Sequence, residues 1–597
     1  MPAVKRTAVF VAIAVVLALY HVSVLFDPAP QSPVPLRTYA DRDFQQPLIW
    51  SNVPEKYPVS SMVSLPKASP TSIPRIQNEF AEESSSERAE RLQRLQAVKE
   101  SFLHSWTGYK KHAWLQDEVA PLSGNFKNTF GGWGASLVDA LDTLCIMGLK
   151  KEFAIAVKAL DKIDFSSTDM DRLNVFETTI RYLGGLMSAY DLSNGKYPVL
   201  LEKATELGEM LYRAFDTPNR MPVSHWYWKK TYQNGTQEAQ NQAVSAEIGS
   251  LSLEFTRLSQ LSGDHKYYDA IQRISDEFFA QQNQTRLPGL WPVYVNPKKT
   301  RFTDDKTFTF GGMSDSLYEY FPKQYMLLGG VMSQYREMYE NAIEVAKRHM
   351  FYRPMNPQNA DILLSGSIFT YGVTGVKLNA EGQHLACFVG GMVGIAAKIF
   401  NRSEDLDVAR KLTDGCIWAY ESMPTGIMPE VFHAVACENA TNCPWDGERW
   451  YQGVAQRNLF KAAPDMTPEE RARKYVKKIG LPEGFTDLAD RRYILRPEAI
   501  ESVFIMYRIT GDKTLQDKAW NMFQAVDKYT RTEIGNAAIN DVGNPEKVRQ
   551  VDSCESFWMA ETLKYYYLIF SEPDVVSLDE WVFNTEAHPL RRPTVEV

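Results

Sequence analysis

The stretch that decides the fold is Leu-Arg-Pro-Glu-Ala-Ile-Glu-Ser-Val-Phe-Ile-Met-Tyr, residues 495–507. Pro497 stands where a helix can begin, since the first helical residue has no intrahelical use for an N–H. Glu498 and Glu501 are three apart, so they share a face at the start of that helix. The helix dipole favours negative charge there, and as a lone pair the two glutamates read as helix-start charges. The arrangement recurs along the chain, however. Seven segments carry acids early and then a dense body of apolar and small residues: 136–148, 175–190, 243–258, 314–328, 384–400, 497–509 and 555–570. Helices apolar nearly all round are buried ones. Two of the segments end in nearly the same phrase, Leu-Ser-Gly-Asp264 and Ile-Thr-Gly-Asp512, each followed by another helical pattern. This weak repeat of inner helix, turn and outer helix predicts an all-α body closed into an α/α barrel. An open array of helix bundles is the alternative. Two short strand-like runs, 291–296 and 302–310, are expected as a small β-hairpin insertion.

In a closed ring, one end of every inner helix faces one mouth, so acids far apart in sequence converge. Asp139 and Asp142 are three apart. Glu177 has Arg181 four residues later, a favourable order for a helical ion pair. Glu247 follows Ser245, and Asp315 and Glu319 share a face. Glu430 follows Pro429 in a turn, Glu498 and Glu501 open their helix, and Glu561 lies four after Phe557. That many carboxylates cannot be buried ionised without partners. The remedies are arginines (Arg181, Arg496), shifted pKa values, or a bound cation, for which oxygen-rich surroundings suit Ca²⁺. Opposed carboxylates around a neutral polar substrate suit glycoside hydrolysis, with separations of roughly 6.5–9.5 Å for inversion and roughly 5–5.5 Å for retention.

Composition narrows the class further. The 597 residues are 12% aromatic, with 13 Trp and 29 Tyr, which suits a deep aromatic-lined cleft. Net charge is −8, and basic runs are as short as 471–478, which argues against a nucleic-acid partner. Lys5 and Arg6 precede the run 7–26, which lacks Asp, Glu, Lys and Arg. As a helix that run would be roughly 30 Å long, enough to span a bilayer, and the basic flank puts the N-terminus in the cytosol. The organisation expected is a cytosolic tail at 1–6, a transmembrane signal anchor at 7–26, a Pro- and Ser-rich stem at 27–85, and a catalytic body at 86–597 that opens with a helix capped by Ser86. Sequons at Asn234, Asn283, Asn401 and Asn439 fit a lumenal body as glycosylation candidates. The six cysteines (Cys145, Cys387, Cys416, Cys437, Cys443 and Cys554) should be partly paired in such a compartment. Spacing alone does not assign the pairs.

The phrases themselves resemble a known family. They are Gly-Ala-Ser-Leu-Val-Asp-Ala-Leu-Asp-Thr-Leu (134–144), Phe-Glu-Thr-Thr-Ile-Arg-Tyr-Leu-Gly-Gly-Leu (176–186), Ala-Glu-Ile-Gly-Ser-Leu (246–251), Asp-Ser-Leu-Tyr-Glu-Tyr (315–320), Leu-Arg-Pro-Glu-Ala-Ile-Glu-Ser (495–502), Glu-Ser-Phe-Trp-Met-Ala-Glu-Thr-Leu-Lys-Tyr (555–565) and Val-Phe-Asn-Thr-Glu-Ala-His-Pro (582–589). From about residue 101 onward the chain resembles the class I α-1,2-mannosidases, glycoside hydrolase family 47, in their type II membrane form of fungal or Golgi kind.

The resemblance implies an (α/α)7 barrel that uses Ca²⁺ and removes terminal α-1,2-linked mannose from high-mannose N-glycans with inversion. It implies Glu177 as general acid, directly or through a water, Glu498 as general base and Asp315 as a third catalytic carboxylate. Which of Glu177 and Asp315 delivers the proton stays open. Thr585 is implied as the direct Ca²⁺ ligand through its carbonyl and hydroxyl, with waters held by Glu501, Glu561 and Glu586. Asp142, Arg181, Glu247, His384, Glu430, Arg496 and Phe557 are implied as sugar-site or supporting positions. Cys387 and Cys416 match the family's disulfide. Cys437 and Cys443 could close a local loop. For Cys145 and Cys554, a bond and two buried thiols both stay open.

A monomeric catalytic domain in the secretory pathway is expected, with endoplasmic reticulum and Golgi undecided. Met313 stands where single-mannose-trimming members carry Arg, so removal of several mannoses is expected. The runner-up reading is a mannose-recognising quality-control factor of the same fold. A further one is an α/α-barrel glycosidase acting on plant or bacterial polysaccharide.

Overall fold

A computed structural model describes residues 46–372, 375–458 and 466–593. The membrane anchor expected at 7–26 lies outside them. Among the described residues, no helix is long and apolar enough to cross a membrane.

The seven acid-first segments are helical and stand side by side. The first is Ala135–Asp139 with Leu141–Ile146. The second runs Val175–Thr178, a π-turn at Thr179–Leu183, then Gly184–Leu192. The third is Ser245–Gly249 with Ser252–Ser262, the fourth Asp315–Leu327, and the fifth Leu385–Phe388 with Val389–Ile399. The sixth is Glu498–Thr510, and the seventh a π-turn at Trp558–Thr562 followed by Leu563–Ile569. Each packs on the next, and the seventh packs on the first. Outside each lies an amphipathic partner: Lys150–Ala159, Pro198–Tyr212, Lys266–Gln281, Ser333–His349, Asp405–Ser422, Thr514–Thr530 and Ser85–His112, taken in the order of the inner segments.

The composition of the inner helices explains the two layers. Val389–Ile399 buries every residue except Lys398. A Cβ on Gly390 would lie 2.4 Å from Thr413 of its outer partner, and one on Gly391 would lie 2.7 Å from Ile505 of the next inner helix. The small residues are therefore what lets three helices meet closely. The repeated Gly-Asp phrase also has a physical cause. Gly263 (φ 75°) and Gly511 (φ 70°) end their inner helices in the left-handed conformation, which glycine adopts without steric penalty.

Several local expectations shift. Pro497 is the residue before the sixth helix rather than its first, and its carbonyl accepts from Glu501 N at 2.9 Å. The helix expected to be capped by Ser86 is capped by Ser84, which forms a reciprocal pair with Glu87. The runs 291–296 and 302–310 do not make one hairpin. Tyr294–Val295 pairs with Ala243–Val244, and Thr307–Thr309 pairs with Ser367–Tyr371. All described strand pairs are antiparallel and belong to two- or three-stranded sheets. One of these, Trp581–Phe583 with Pro589–Arg591, is a C-terminal hairpin that packs against the fourth and second inner helices.

Part of the segment expected as the stem packs with the ring. A single compact unit begins at Leu48. Residues 48–84 have no α-helix, as their prolines require, yet they are fastened to the ring. Trp50 is buried against Trp226, Trp228 and Tyr232 and donates to Ser166 O at 2.7 Å. Lys56 N and Tyr57 N donate to Asp216, Val63 N to Asp269 and Ile76 N to Asp579. Asn78 N donates to Arg508 O at 2.8 Å, while the Arg508 side chain, fully buried, reaches Gln77 Oε1 and Leu568 O at 3.0 Å each.

Cys387 is bonded to Cys416, joining an inner helix to its outer partner, and Cys437 to Cys443 within one loop. Cys145 and Cys554 are free thiols, so the bond left open between them does not form. All four sequon asparagines are exposed.

Candidate active site

The starts of the inner helices meet at one place. Asn174 caps the second segment by accepting from Glu177 N at 3.1 Å, which fixes Glu177 on the first turn. Asn174 Nδ2 also reaches Glu247 Oε1 of the third segment at 3.4 Å. Arg181 donates to Glu177 Oε2 from Nε (3.0 Å), and its Nη2 lies 2.9 Å from the same oxygen. Its Nη1 reaches Ser556 Oγ (3.0 Å) and Glu586 of the C-terminal hairpin. Glu498 comes from the start of the sixth segment. His384 Nδ1 lies 2.8 Å from Glu498 Oε2, and the other ring nitrogen is 2.7 Å from Tyr420 Oη. Arg496 donates to Glu430 Oε2 at 2.5 Å and lies 3.6 Å from Glu498. Phe557 sits between the two arginines, 5.7 Å from Arg181 and 5.9 Å from Arg496. Leu495, just before Arg496, has φ 73°, an uncommon conformation for a branched side chain, and its carbonyl accepts from Thr562 at 2.6 Å.

The carboxylates have been driven apart in proton affinity. Burial would raise Glu498, but the bond from His384 and the charge of Arg496 outweigh it, holding this group below its ordinary value. Asp315 is pushed up to about 7, chiefly by burial, with Glu319 and Glu498 adding repulsion. One carboxyl is thus set to stay ionised and a neighbour to keep its proton near neutrality. That division of labour is what acid–base chemistry on one bond requires.

Deeper, negative charge accumulates. Glu501 is raised to about 8 by burial, with Lys323 opposing and Glu319 and Glu498 adding to the rise. Glu561 and Glu586 are raised well above the carboxylate range by burial, each partly by the other acids nearby. The cations facing this group are Lys323, on Glu319 and 3.7 Å from Glu501, and Arg181, on Glu586. Thr585 lies at the turn of the C-terminal hairpin. Its N–H donates to Tyr320 Oη at 3.2 Å, and no hydrogen bond to its hydroxyl or carbonyl occurs among the described residues. Also among the described residues, no three Asp, Glu, His or Cys side chains converge as a direct metal-binding group. Hard oxygen donors and surplus negative charge fit a hydrated divalent cation such as Ca²⁺, held by few protein atoms directly.

Asp142 is not at the mouth. It lies fully buried below, with Lys564 Nζ and His588 Nδ1 each at 2.8 Å and Ser188 Oγ at 3.0 Å. Of the other expected residues, Glu177, Arg181, Glu247, Asp315, His384, Glu430, Arg496, Glu498, Glu501, Phe557, Glu561, Thr585 and Glu586 belong to this one constellation. Lys323, Ser556 and Glu118, which accepts from Ser556 N at 3.3 Å, were not anticipated as part of it. Lys323 was legible in principle, because it stands four residues after Glu319 on the same helix face. Glu118 sits on a two-residue strand with no periodic signal.

A ring of helices whose mouth sets a proton-holding acid against an ionised carboxylate, beside bracketing arginines and an aromatic ring, defines a glycoside hydrolase. The chain belongs to glycosyl hydrolase family 47, whose sequence profile matches residues 101–592. It is 35% identical over 501 residues to the endoplasmic reticulum mannosyl-oligosaccharide 1,2-alpha-mannosidase of Mus musculus, covering 83% of this chain and 68% of that one. It is 34% identical over 520 residues to the mannosyl-oligosaccharide alpha-1,2-mannosidase 1B of Aspergillus oryzae, covering 83% and 92%. Its structure is similar to that of the alpha-1,2-mannosidase from Trichoderma reesei, with a TM-score of 0.72 at 30% identity, covering 84% of this chain and 99% of that one.

Proposed function

We propose that this enzyme hydrolyses terminal α-1,2-linked mannose residues of high-mannose N-glycans, with inversion, as a Ca²⁺-dependent α-1,2-mannosidase. The observation that carries the reading is the opposed setting of Glu498, held ionised by His384 and Arg496, and Asp315, held protonated up to about 7. In this reading the ring of neighbours is an (α/α)7 barrel, and its mouth admits the outer end of one glycan branch.

Glu498 acts as general base on the attacking water. His384, clamped by Tyr420, aims that carboxylate. Protonation of the leaving oxygen falls to Asp315 and Glu177. Asp315 keeps a proton near neutrality, and Glu177, held by Arg181, delivers a proton to the leaving oxygen directly or through a water. Phe557, bracketed by Arg181 and Arg496, offers an apolar face to the departing ring, and Glu247 and Glu430 offer acceptors to its hydroxyls. Thr585 would hold Ca²⁺ directly, with Glu501, Glu561 and Glu586 holding its waters. When bound, that cation supplies charge that keeps the buried carboxylates ionised and binds sugar hydroxyls.

The remaining expectations stand as parts of the same proposal: a type II signal anchor at 7–26, a lumenal and monomeric catalytic domain, and residence in the Golgi or endoplasmic reticulum. Met313 is 37% exposed, with Tyr294 Oη 3.7 Å from its sulfur. With no cation there to grip one branch, we expect several mannoses to be removed in sequence. The purified enzyme should cleave α-1,2-mannobiose, lose that activity on chelation and regain it with Ca²⁺. Glycan binding without mannose release would instead support the quality-control reading.

A further inference from the structure

Joined to the site is a fully buried cluster of charged groups, Asp139, Asp142, Lys564 and His588, that none of the roles above uses. His588, in the C-terminal hairpin, has one carboxylate at each ring nitrogen: Asp142 Oδ2 at 2.8 Å from Nδ1 and Asp139 Oδ1 at 3.0 Å from Nε2. A ring nitrogen facing a carboxylate must carry a proton to be satisfied. Two such nitrogens make the ring a cation. Burial opposes that charge, but Asp142 and the bonds to both aspartates outweigh it, and the imidazole is held above its ordinary pKa. The other oxygen of Asp139 accepts from Ser556 Oγ. Ser556 Oγ in turn accepts from Arg181 Nη1 at 3.0 Å, and Arg181 grips Glu177. Every one of these groups except Glu177 is buried, with Asp139, Asp142, His588 and Ser556 wholly so.

The charges are shared rather than paired one to one. Lys564 sits 2.8 Å from Asp142, which it shares with His588. Asp139 has His588 at 3.0 Å, and Arg181 serves both Glu177, at 2.9 Å, and Glu586. Asp139 and Arg181 Nη1 are only 3.7 Å apart, with Ser556 between them. If Asp139 lost its own cation, Arg181 would be the nearest positive charge, and an uncompensated buried carboxylate is costly enough to compete for it. We propose that His588 is a positioning residue for the hydrolysis. Its charge neutralises Asp139, so that Arg181 is not drawn from Glu177 and Glu586 toward Asp139, and Glu177 keeps the orientation that protonation of the leaving oxygen needs. The C-terminal hairpin would in this way set the geometry of a carboxylate more than 400 residues earlier in the chain. The inference rests on Glu177 taking part in proton delivery.

The test compares three variants in the full-length enzyme with Ca²⁺ present. His588→Gln keeps a donor toward Asp139 but removes the charge. It should lower kcat on a high-mannose N-glycan by tenfold or more, with KM within about twofold. Adding Asp139→Asn to that variant removes the uncompensated carboxylate and should restore most of the lost kcat. Asp139→Asn alone, which leaves Arg181 to Glu177 and Glu586, should stay within about threefold of wild type. A purely structural His588 would lower the melting temperature and leave kcat per folded molecule unchanged, which overturns the proposal. So does an Asp139→Asn single variant that folds but loses tenfold, and this arm remains decisive if His588→Gln does not fold. Glu177→Gln serves as the control on the underlying reading. If it keeps wild-type kcat, the role of Glu177 fails; if it is inactive while His588→Gln is normal, only the present inference fails.

Discussion

Glu498 owes its charge to what touches it. Remove His384, and the largest stabilising contact of its carboxylate is gone while its burial stays. His384→Ala should therefore move the acid limb of the kcat/KM profile to higher pH. The signs follow from the roles. The base works only when ionised, so activity falls as pH drops through the base's depressed pKa. The acid works only when protonated, so activity falls as pH rises through about 7, where Asp315 titrates. A kcat/KM profile from pH 4 to 9 checks both limbs, and Asp315→Asn should remove the alkaline one along with most of the activity. An alkaline limb unchanged in that variant would take the proton away from Asp315.

The element that unites the site is the C-terminal hairpin. Asn584 at its turn is wholly buried and donates to Ile180 O (3.0 Å) and Glu254 Oε1 (2.7 Å), while its own side-chain oxygen accepts from Glu586 N (3.0 Å) and His588 N (2.8 Å). Those four bonds shape the turn that presents Thr585. Asn584→Ala strips them and leaves buried groups unpaired, at a cost of about 2–4 kcal/mol. Thermal melting should show the loss, and isothermal titration should show weaker Ca²⁺ binding. The inner helices were legible in the sequence because burial on all sides leaves a continuous apolar pattern with acids only at one end. The hairpin was not legible by pattern. Residues 581–591 alternate too briefly to announce strands, and only their phrase marked Thr585 out. The local breaks inside the second and seventh helices were also hidden. The π-turns at Thr179–Leu183 and Trp558–Thr562 aim Arg181 and Glu561, and a change in backbone hydrogen bonding leaves no periodic trace. Charge pairing across the ring, as in Asp142–His588–Asp139, depends on which helices become neighbours, which no local spacing encodes.

At the scale of the whole molecule, the ring is closed by its ends. The chain enters through residues 48–84, which tie Ser166, Asp216, Asp269, Gly329, Arg508 and Asp579 together. A protein starting at residue 48 should melt close to the parent, whereas one starting at residue 85 should melt at least several degrees lower, because it exposes the Trp50 site and orphans those aspartates. Scanning calorimetry of the two forms decides it. The two disulfides should differ as well. The Cys387–Cys416 bridge closes a 29-residue separation and the Cys437–Cys443 bridge one of 6. By loop entropy the first is worth roughly 3–4 kcal/mol and the second about 2 kcal/mol, so Cys387→Ala/Cys416→Ala should lower denaturant midpoints further. The central claim, that the mouth of this ring removes α-1,2-mannose, is tested most directly by a time course of high-mannose N-glycan products with wild-type enzyme and Glu498→Gln, each with and without Ca²⁺. The expected result is stepwise loss of several mannoses by wild type only when Ca²⁺ is present, and at least about a thousandfold slower release by the variant, as removal of a general base and its charge together implies. Undiminished release by Glu498→Gln, or no release by the wild type loaded with Ca²⁺, would contradict it.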